Sequence, residues 1–330
     1  MSVSSTAAGA PPVVLSLLAD GSLRLEAGAA LLPLLQRWLP LLPYAETASP
    51  ADGAVVRVVS DPAAGLDAPE GAATLRVGSA EAWIDAAAGR AVFRCTGGSW
   101  GRVELAGGRA ELVAGVAGDE TLDAVAWDLY AMCTIACALL LGRMHRALAH
   151  AAAVVAPDGR AWLLAGDTHA GKSTTAVNLI EAGWRFVSDD HVVLFRGSDG
   201  EIGVEGWPRR FHLDEGWEDG APLHRRGEVD PHARWPGRWQ RTASLAGLIF
   251  PRVDASLSTE LAPLTAAEAL AGLLRQSPWL LADRGCAAEV LAFLRAACEQ
   301  PAYSLRLGLD TYRDAGRLLE LLRPLWGSGG

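Results

Sequence analysis

The chain lacks an excess of positive charge: 29 Lys and Arg residues stand against 38 Asp and Glu, for a formal net charge of -9. Neutralising phosphates over a wide area needs a net basic face, so a broad nucleic-acid or anionic-membrane interface is excluded as the expected partner. Cysteine is sparse. The five present (Cys95, Cys133, Cys137, Cys286 and Cys298) contain no C-x-x-C pair for zinc or dithiol chemistry. They read as buried core thiols of a reducing, cytoplasmic compartment. The N-terminal stretch has no basic segment ahead of its short apolar run, so no signal peptide is expected. Uninterrupted hydrophobic runs are also missing. The nearest, residues 124–141, is broken by Asp128 and is too short to span a bilayer. Leu122, Val125, Leu129, Met132, Ile135, Leu139 and Met144 recur there at helical spacing, which predicts a long buried helix over about 120–149.

What is present is enough apolar material for a sizeable core: half of the 330 residues are hydrophobic and a fifth are charged. The length favours two domains, divided here as 1–120 and 121–330. The first reads as a β-rich support or recognition domain, with hairpins at 83–95 and 100–115. A helix candidate near residues 30–42 should be divided by its internal prolines. The second half predicts an α/β (α+β) core. Two apolar strands, "AAAVVA" and "AWLLA", are joined by the turn "PDGR". The helix "KSTTAVNLIEA" stops at Gly183, and "WRFVS" and "VVLF" follow as strands. Residues 205–241 carry seven arginines and four tryptophans without clear periodicity and read as a long loop region. A strand ending at Pro251, helices over 265–277 and 286–300, the strand "PAYSLRLG" and a closing helix complete the chain, with no internal repeat.

The chemistry concentrates in three places. Gly166-x-x-x-x-Gly171-Lys172-Ser173 lies between an apolar strand and a helix, the context that a phosphate-binding loop requires. Residues Gly166, Asp167, Thr168, His169, Ala170, Gly171, Lys172, Ser173 and Thr174 would hold a nucleotide. Glycines let the backbone N–H groups approach phosphate oxygens, and the helix N-terminus adds positive potential. Lys172 should reach the outer phosphates and the Ser173 hydroxyl should ligate magnesium. The second place is Asp189-Asp190, at the end of a strand returning beside the loop. One carboxylate, written here as Asp190, could serve the metal while its neighbour accepts a proton from an attacking hydroxyl. The third is His150, just before the first strand of the hairpin, where it could assist proton transfer. Arg209, Arg210 and Arg241 are candidates for stabilising charge on a transferring group.

Residues 150–194, from the histidine through loop and acid pair, resemble the catalytic core of the HPr kinase/phosphorylase superfamily, whose nucleotide site is shared with phosphoenolpyruvate carboxykinase. In that family a histidine precedes the loop by a hairpin and a strand ending in paired aspartates follows it. The resemblance makes His150 the hairpin histidine, Gly166 to Thr174 the loop, and Asp189 and Asp190 the acid pair. It implies ATP and Mg2+ as cofactors and a serine kinase activity, with a peptide, natural-product precursor or small alcohol as acceptor. Related stand-alone members include lasso-peptide tailoring kinases. The glutamate-x-arginine-glycine-leucine-glycine signature of the true HPr enzymes has no counterpart; "RTASLAGLIF" stands in its approximate place, so HPr is not the expected acceptor. Three alternatives stay open: a nucleotide-dependent switch protein, a phosphorylase running in reverse, and a carboxykinase-like lyase, against which the scarcity of lysine weighs. Homo-oligomerisation is also left open.

Overall fold

A computed structural model describes residues 12–35, 53–60, 69, 71–115, 122–206, 210–214, 217–218, 221–222, 226–254, 258–313 and 315–326. The chain divides into two compact units, Met1–Arg143 and Met144–Gly330. In the first, β1 (Val13–Ser16), β2 (Leu23–Ala27), β3 (Ala54–Val59), β4 (Leu75–Val77), β5 (Ala80–Asp85), β6 (Arg90–Cys95), β7 (Trp100–Glu104) and β8 (Arg109–Val113) form one sheet. Its order is β1-β2-β3-β8-β7-β6-β5-β4, with β3 parallel to both β2 and β8. Both expected hairpins are present, as β5–β6 and β7–β8. The alternation along β6 sends Ala91, Phe93 and Cys95 inward while Arg90 and Arg94 face solvent.

Besides α1 (Leu32–Leu35), this unit contains α2 (Leu122–Arg143), which packs on β3, β4, β5, β7 and β8. The remainder of the proline-divided helix candidate lies outside the described residues. Because α2 is built into the first unit, the boundary falls after Arg143 and not at 120/121 as the composition suggested. The helix is also shorter than its apolar pattern. His145, at φ 56, takes the chain out of the helix, and the residues expected to be its last turn belong to a strand. By length and composition α2 could cross a membrane, but 83% of its most apolar stretch is buried. Asp128, 2% exposed, accepts a hydrogen bond from the Ser79 hydroxyl at 2.6 Å, which offsets the cost of burying a carboxylate within the helix.

The second unit contains β9 (Ala147–Val155), β10 (Ala161–Ala165), α3 (Lys172–Glu181), β11 (Arg185–Ser188), β12 (His191–Arg196), β13 (Ile202–Gly206), β14 (Phe211–Asp214), β15 (Trp217–Glu218), β16 (Ala221–Pro222) and β17 (Arg226–Val229). Then follow α4 (Pro231–Arg234), β18 (Thr242–Val253), β19 (Glu260–Pro263), α5 (Ala266–Gln276), α6 (Ala287–Ala297), β20 (Ala302–Leu307), α7 (Leu309–Arg313) and α8 (Ala315–Leu322). Strand β10 lies between β9, antiparallel to it, and β18, parallel to it. From β9 the pairing passes through β12 and β13 to β18, so the ladder closes on itself, and β20 and β19 extend it past β18. This is a mixed α/β architecture, as the sequence implied. Strand β10 is buried at every position, and β9 everywhere except His150, matching their unbroken apolar runs.

Three sequence expectations change here. Strand β18 does not stop at Pro251 but continues to Val253. The Pro251 carbonyl faces Gly166, past the end of β10, so the missing N–H costs no ladder bond on that side. The closing helix, expected over 313–326, is α8 and gives way to a 3-10 turn at Arg323–Leu325, with the short α7 ahead of it. The loop region expected over 205–241 contains a two-stranded ribbon, β14 with β17, and a second short one, β15 with β16. Trp235 and Phe211 bury against Phe186 at ring-centroid distances of 6.4 and 5.6 Å, tying the region to the core beneath α3.

Candidate functional site

Strand β10 ends at Ala165 and the chain wraps through residues 166–171 into α3. Two left-handed residues make the wrap: His169 at φ 64 and Gly171 at φ 95. Glycine is required at 171. A β-carbon there would lie 2.6 Å from Leu307 Cδ1, in addition to the cost of positive φ. At Gly166 a β-carbon would come within 3.0 Å of both Ala170 Cβ and the Pro251 carbonyl oxygen. Gly171 is the N-cap of α3 and brings no side-chain cap to the first-turn amides of Lys172, Ser173 and Thr174. An uncapped helix start behind a close-wrapped loop is suited to an anion. Asp167, Thr168 and His169 are exposed along the loop, whereas Lys172 is 8% exposed.

Lys172 is the only lysine in the chain. Its Nζ donates to the carbonyls of Gly166 at 2.7 Å and Asp167 at 3.0 Å, closing the loop across its mouth. Asp167 is anchored in turn by Gln276, whose Nε2 donates to its Oδ1 at 2.7 Å. The Ser173 hydroxyl donates to Asp189 Oδ2 at 3.1 Å. The sequence reading gave the metal to Ser173 with Asp190; the structure sets Asp189 beside Ser173.

Asp190 has other neighbours. His150 Nε2 lies 3.2 Å from its Oδ1, and His191 Nδ1 lies 2.8 Å from its Oδ2. Both imidazoles stand within ion-pair distance of this carboxylate, and each can donate to it when its near nitrogen carries the proton. The two histidines are cross-strand partners on β9 and β12. His150 therefore sits within strand β9, not ahead of it, one residue from the pair Ala151 and Ala165 that ends β10. The side chain of His191 is 4% exposed and that of His150 22%. Asp190 is thus held from a buried side and from an open side.

A buried segment after α5 supports both histidines. The His150 backbone N–H donates to the fully buried Ser277 hydroxyl at 2.8 Å. Trp279, whose indole N–H reaches the Leu148 carbonyl at 2.7 Å, packs its ring 5.7 Å from that of His191. The sequence reading passed over His191, Gln276, Ser277 and Trp279. His191 had a local signal, as a third polar residue directly after the acid pair. The others approach from more than 80 residues away in sequence and carried none.

The arginine candidates separate. Arg210 pairs with Glu228 at 2.9 Å on the β14–β17 ribbon, and Arg209 lies outside the described residues. Arg241 follows a segment that pairs with β11. Residues 238–240 run parallel to β11, with Phe186 N–H bonding the Arg238 carbonyl and Gln240 N–H bonding that of Phe186, each within 2.9 Å. That register carries Arg241 toward the level of Ser188. There Glu205, 3% exposed, accepts from its Nε at 2.9 Å and fixes the direction of the guanidinium.

Among the described residues no group of three or more His, Cys, Asp or Glu side chains forms a protein-only metal cage. The oxygen pair of Ser173 and Asp189 fits a magnesium ion, a hard cation that takes few protein ligands and completes its shell with phosphate and water oxygens.

No protein-family model matches the chain, and no curated protein matches it. Among solved structures, the Hpr(Ser) kinase/phosphatase from Coxiella burnetii aligns over 54% of this chain and 94% of its own, at 12% identity and a TM-score of 0.32. The chain is distantly similar to that protein.

Proposed function

We propose that the protein is a magnesium-dependent phosphotransferase that moves the terminal phosphoryl group of ATP to a hydroxyl. The acceptor class would be a serine of a peptide or a small serine-like alcohol. The observation that carries the reading is the different setting of the adjacent aspartates: Asp189 beside the loop hydroxyl of Ser173, Asp190 between two imidazoles. A protein that only holds a nucleotide needs the first arrangement and has no use for the second.

In this reading the loop amides and Lys172 bind the phosphates and draw charge from them. Ser173 and Asp189 would hold magnesium, which would supply charge neutralisation at the phosphate oxygens. Asp190 accepts the proton of the acceptor hydroxyl as the oxygen bonds to phosphorus and the bond to the departing diphosphate breaks. His150 and His191 hold the carboxylate for that step. Arg241, its guanidinium directed by Glu205, would be the arginine to supply positive charge to the transferring group.

The test is phosphoryl transfer from ATP and Mg2+ to a panel of serine peptides and small alcohols, followed by mass spectrometry. Lys172→Ala should abolish transfer. Asp190→Asn should slow it by about 10²–10⁴-fold, the range for loss of a general base, with nucleotide affinity kept. Nucleotide bound with no acceptor modified would return the site to a binding or switch role.

A further inference from the structure

We infer that the nucleoside of the bound nucleotide lies across the carboxyl ends of β18 and β20, its base against Val253 and Leu307. The inference rests on the proposal that the loop binds a nucleotide and adds where the rest of that molecule goes. It starts from the two flanks of β10. On the β9 side stand His150, Asp190 and His191, so the phosphoryl group to be transferred has to face that way. The remainder of the nucleotide must leave over the opposite flank, where β18 and then β20 run parallel to β10. β18 and β20 end in register, Val253 opposite Leu307, beyond the end of β10, so their carboxyl ends form a ledge on the loop's side of the sheet.

What stands there is suited to a flat apolar base. Val253, the last residue of β18, is 52% exposed. Among the described residues of this unit the other exposed large hydrophobic is Leu291, on α6. Val253 is distinguished by its neighbour. A β-carbon placed on Gly171 would lie 3.3 Å from Val253 Cγ2 and 2.6 Å from Leu307 Cδ1, so the two apolar side chains pack directly on the start of α3. The Asp254 N–H bonds the Leu307 carbonyl at 2.9 Å and locks the two strand ends together. The Asp254 carboxylate is paired with Arg252, 3.6 Å away. An apolar step with the phosphate loop behind it fits one molecule, a nucleoside di- or triphosphate.

The experiment is calorimetry on the full chain with Mg2+, comparing ADP with inorganic pyrophosphate. Pyrophosphate offers the loop the same phosphates without the nucleoside. Val253→Ser removes the apolar contact without adding charge beside the phosphate loop, is at an exposed position and should leave folding intact; Leu291→Ser, equally an exposed apolar position, is the control. The expected result is that the unsubstituted protein binds ADP at least about tenfold tighter than pyrophosphate. Val253→Ser should remove about tenfold of the ADP affinity and leave pyrophosphate within about twofold. Leu291→Ser should change neither. Equal affinity for ADP and pyrophosphate, or an unchanged ADP affinity in Val253→Ser, overturns the inference while the phosphate-loop reading stands. If neither ligand binds, the loop reading fails and this inference fails with it.

Discussion

At the scale of single residues, Lys172 offers an unusually clean handle because no other lysine competes with it. An acyl phosphate of ATP, which delivers an acyl group to an amine near the bound phosphates, should label one internal residue, Lys172. Excess ATP with Mg2+ should suppress that label, as read by peptide mass spectrometry. Labelling that ATP does not suppress would detach Lys172 from the nucleotide. This residue was legible in the sequence because the loop motif fixes lysine by spacing alone. The pairing of Asp189 with Ser173 was not. Which of two adjacent carboxylates turns to the loop depends on how the chain bends after β11, and on two histidines from different strands competing for one of them.

At the scale of elements, the loop and α3 depend on the backbone of Gly171. Gly171→Ala forces a β-carbon into positive φ and into Leu307. It should cost about 1–3 kcal/mol, seen as a lower unfolding midpoint, and should weaken nucleotide binding as well. Helix α5 gives a test unconnected with ligands. Thr265 accepts from the Glu268 N–H while the Glu268 carboxylate accepts from the Thr265 N–H at 2.8 Å. Thr265→Ala should therefore cost about 1 kcal/mol. That helix, the turn between β9 and β10, and α3 with its stop at Gly183 could all be read from spacing and caps, because their signals are local. The run of β18 through Pro251 could not, since whether a proline is tolerated depends on which neighbouring strand has already ended. The return of β13 to β18 that closes the ring is likewise long-range pairing with no local mark.

At the scale of the whole molecule, the five cysteines are free and buried, as their sparse spacing implied. Burial pushes the Cys133 thiol up to about 12 and that of Cys298 up to about 11, and raises Cys95 and Cys137 as well. Native protein at pH 8 should react slowly with a thiol reagent, and five equivalents should appear on denaturation. The pH dependence follows from the same shifts. Above about 8.5 the unfolded chain loses thiol protons that the folded chain keeps. Stability is then fully present below that pH and falls as pH rises toward the folded values, which a series of urea midpoints from neutral to alkaline pH would show. The division into two units was foreseen, but its position was not. The apolar helix that seemed to lead into the second unit belongs to the first, because a helix buried on nearly every side carries no face from which its partner can be read.

The central claim is that Asp190 makes this loop a transfer site. It is tested most directly by measuring ADP affinity and phosphoryl transfer side by side in the unsubstituted protein and in Asp190→Asn, with one acceptor found by mass spectrometry. The account predicts equal affinity within about twofold and transfer lower by about 10²–10⁴-fold in the variant. Transfer at the unsubstituted rate in Asp190→Asn would contradict it.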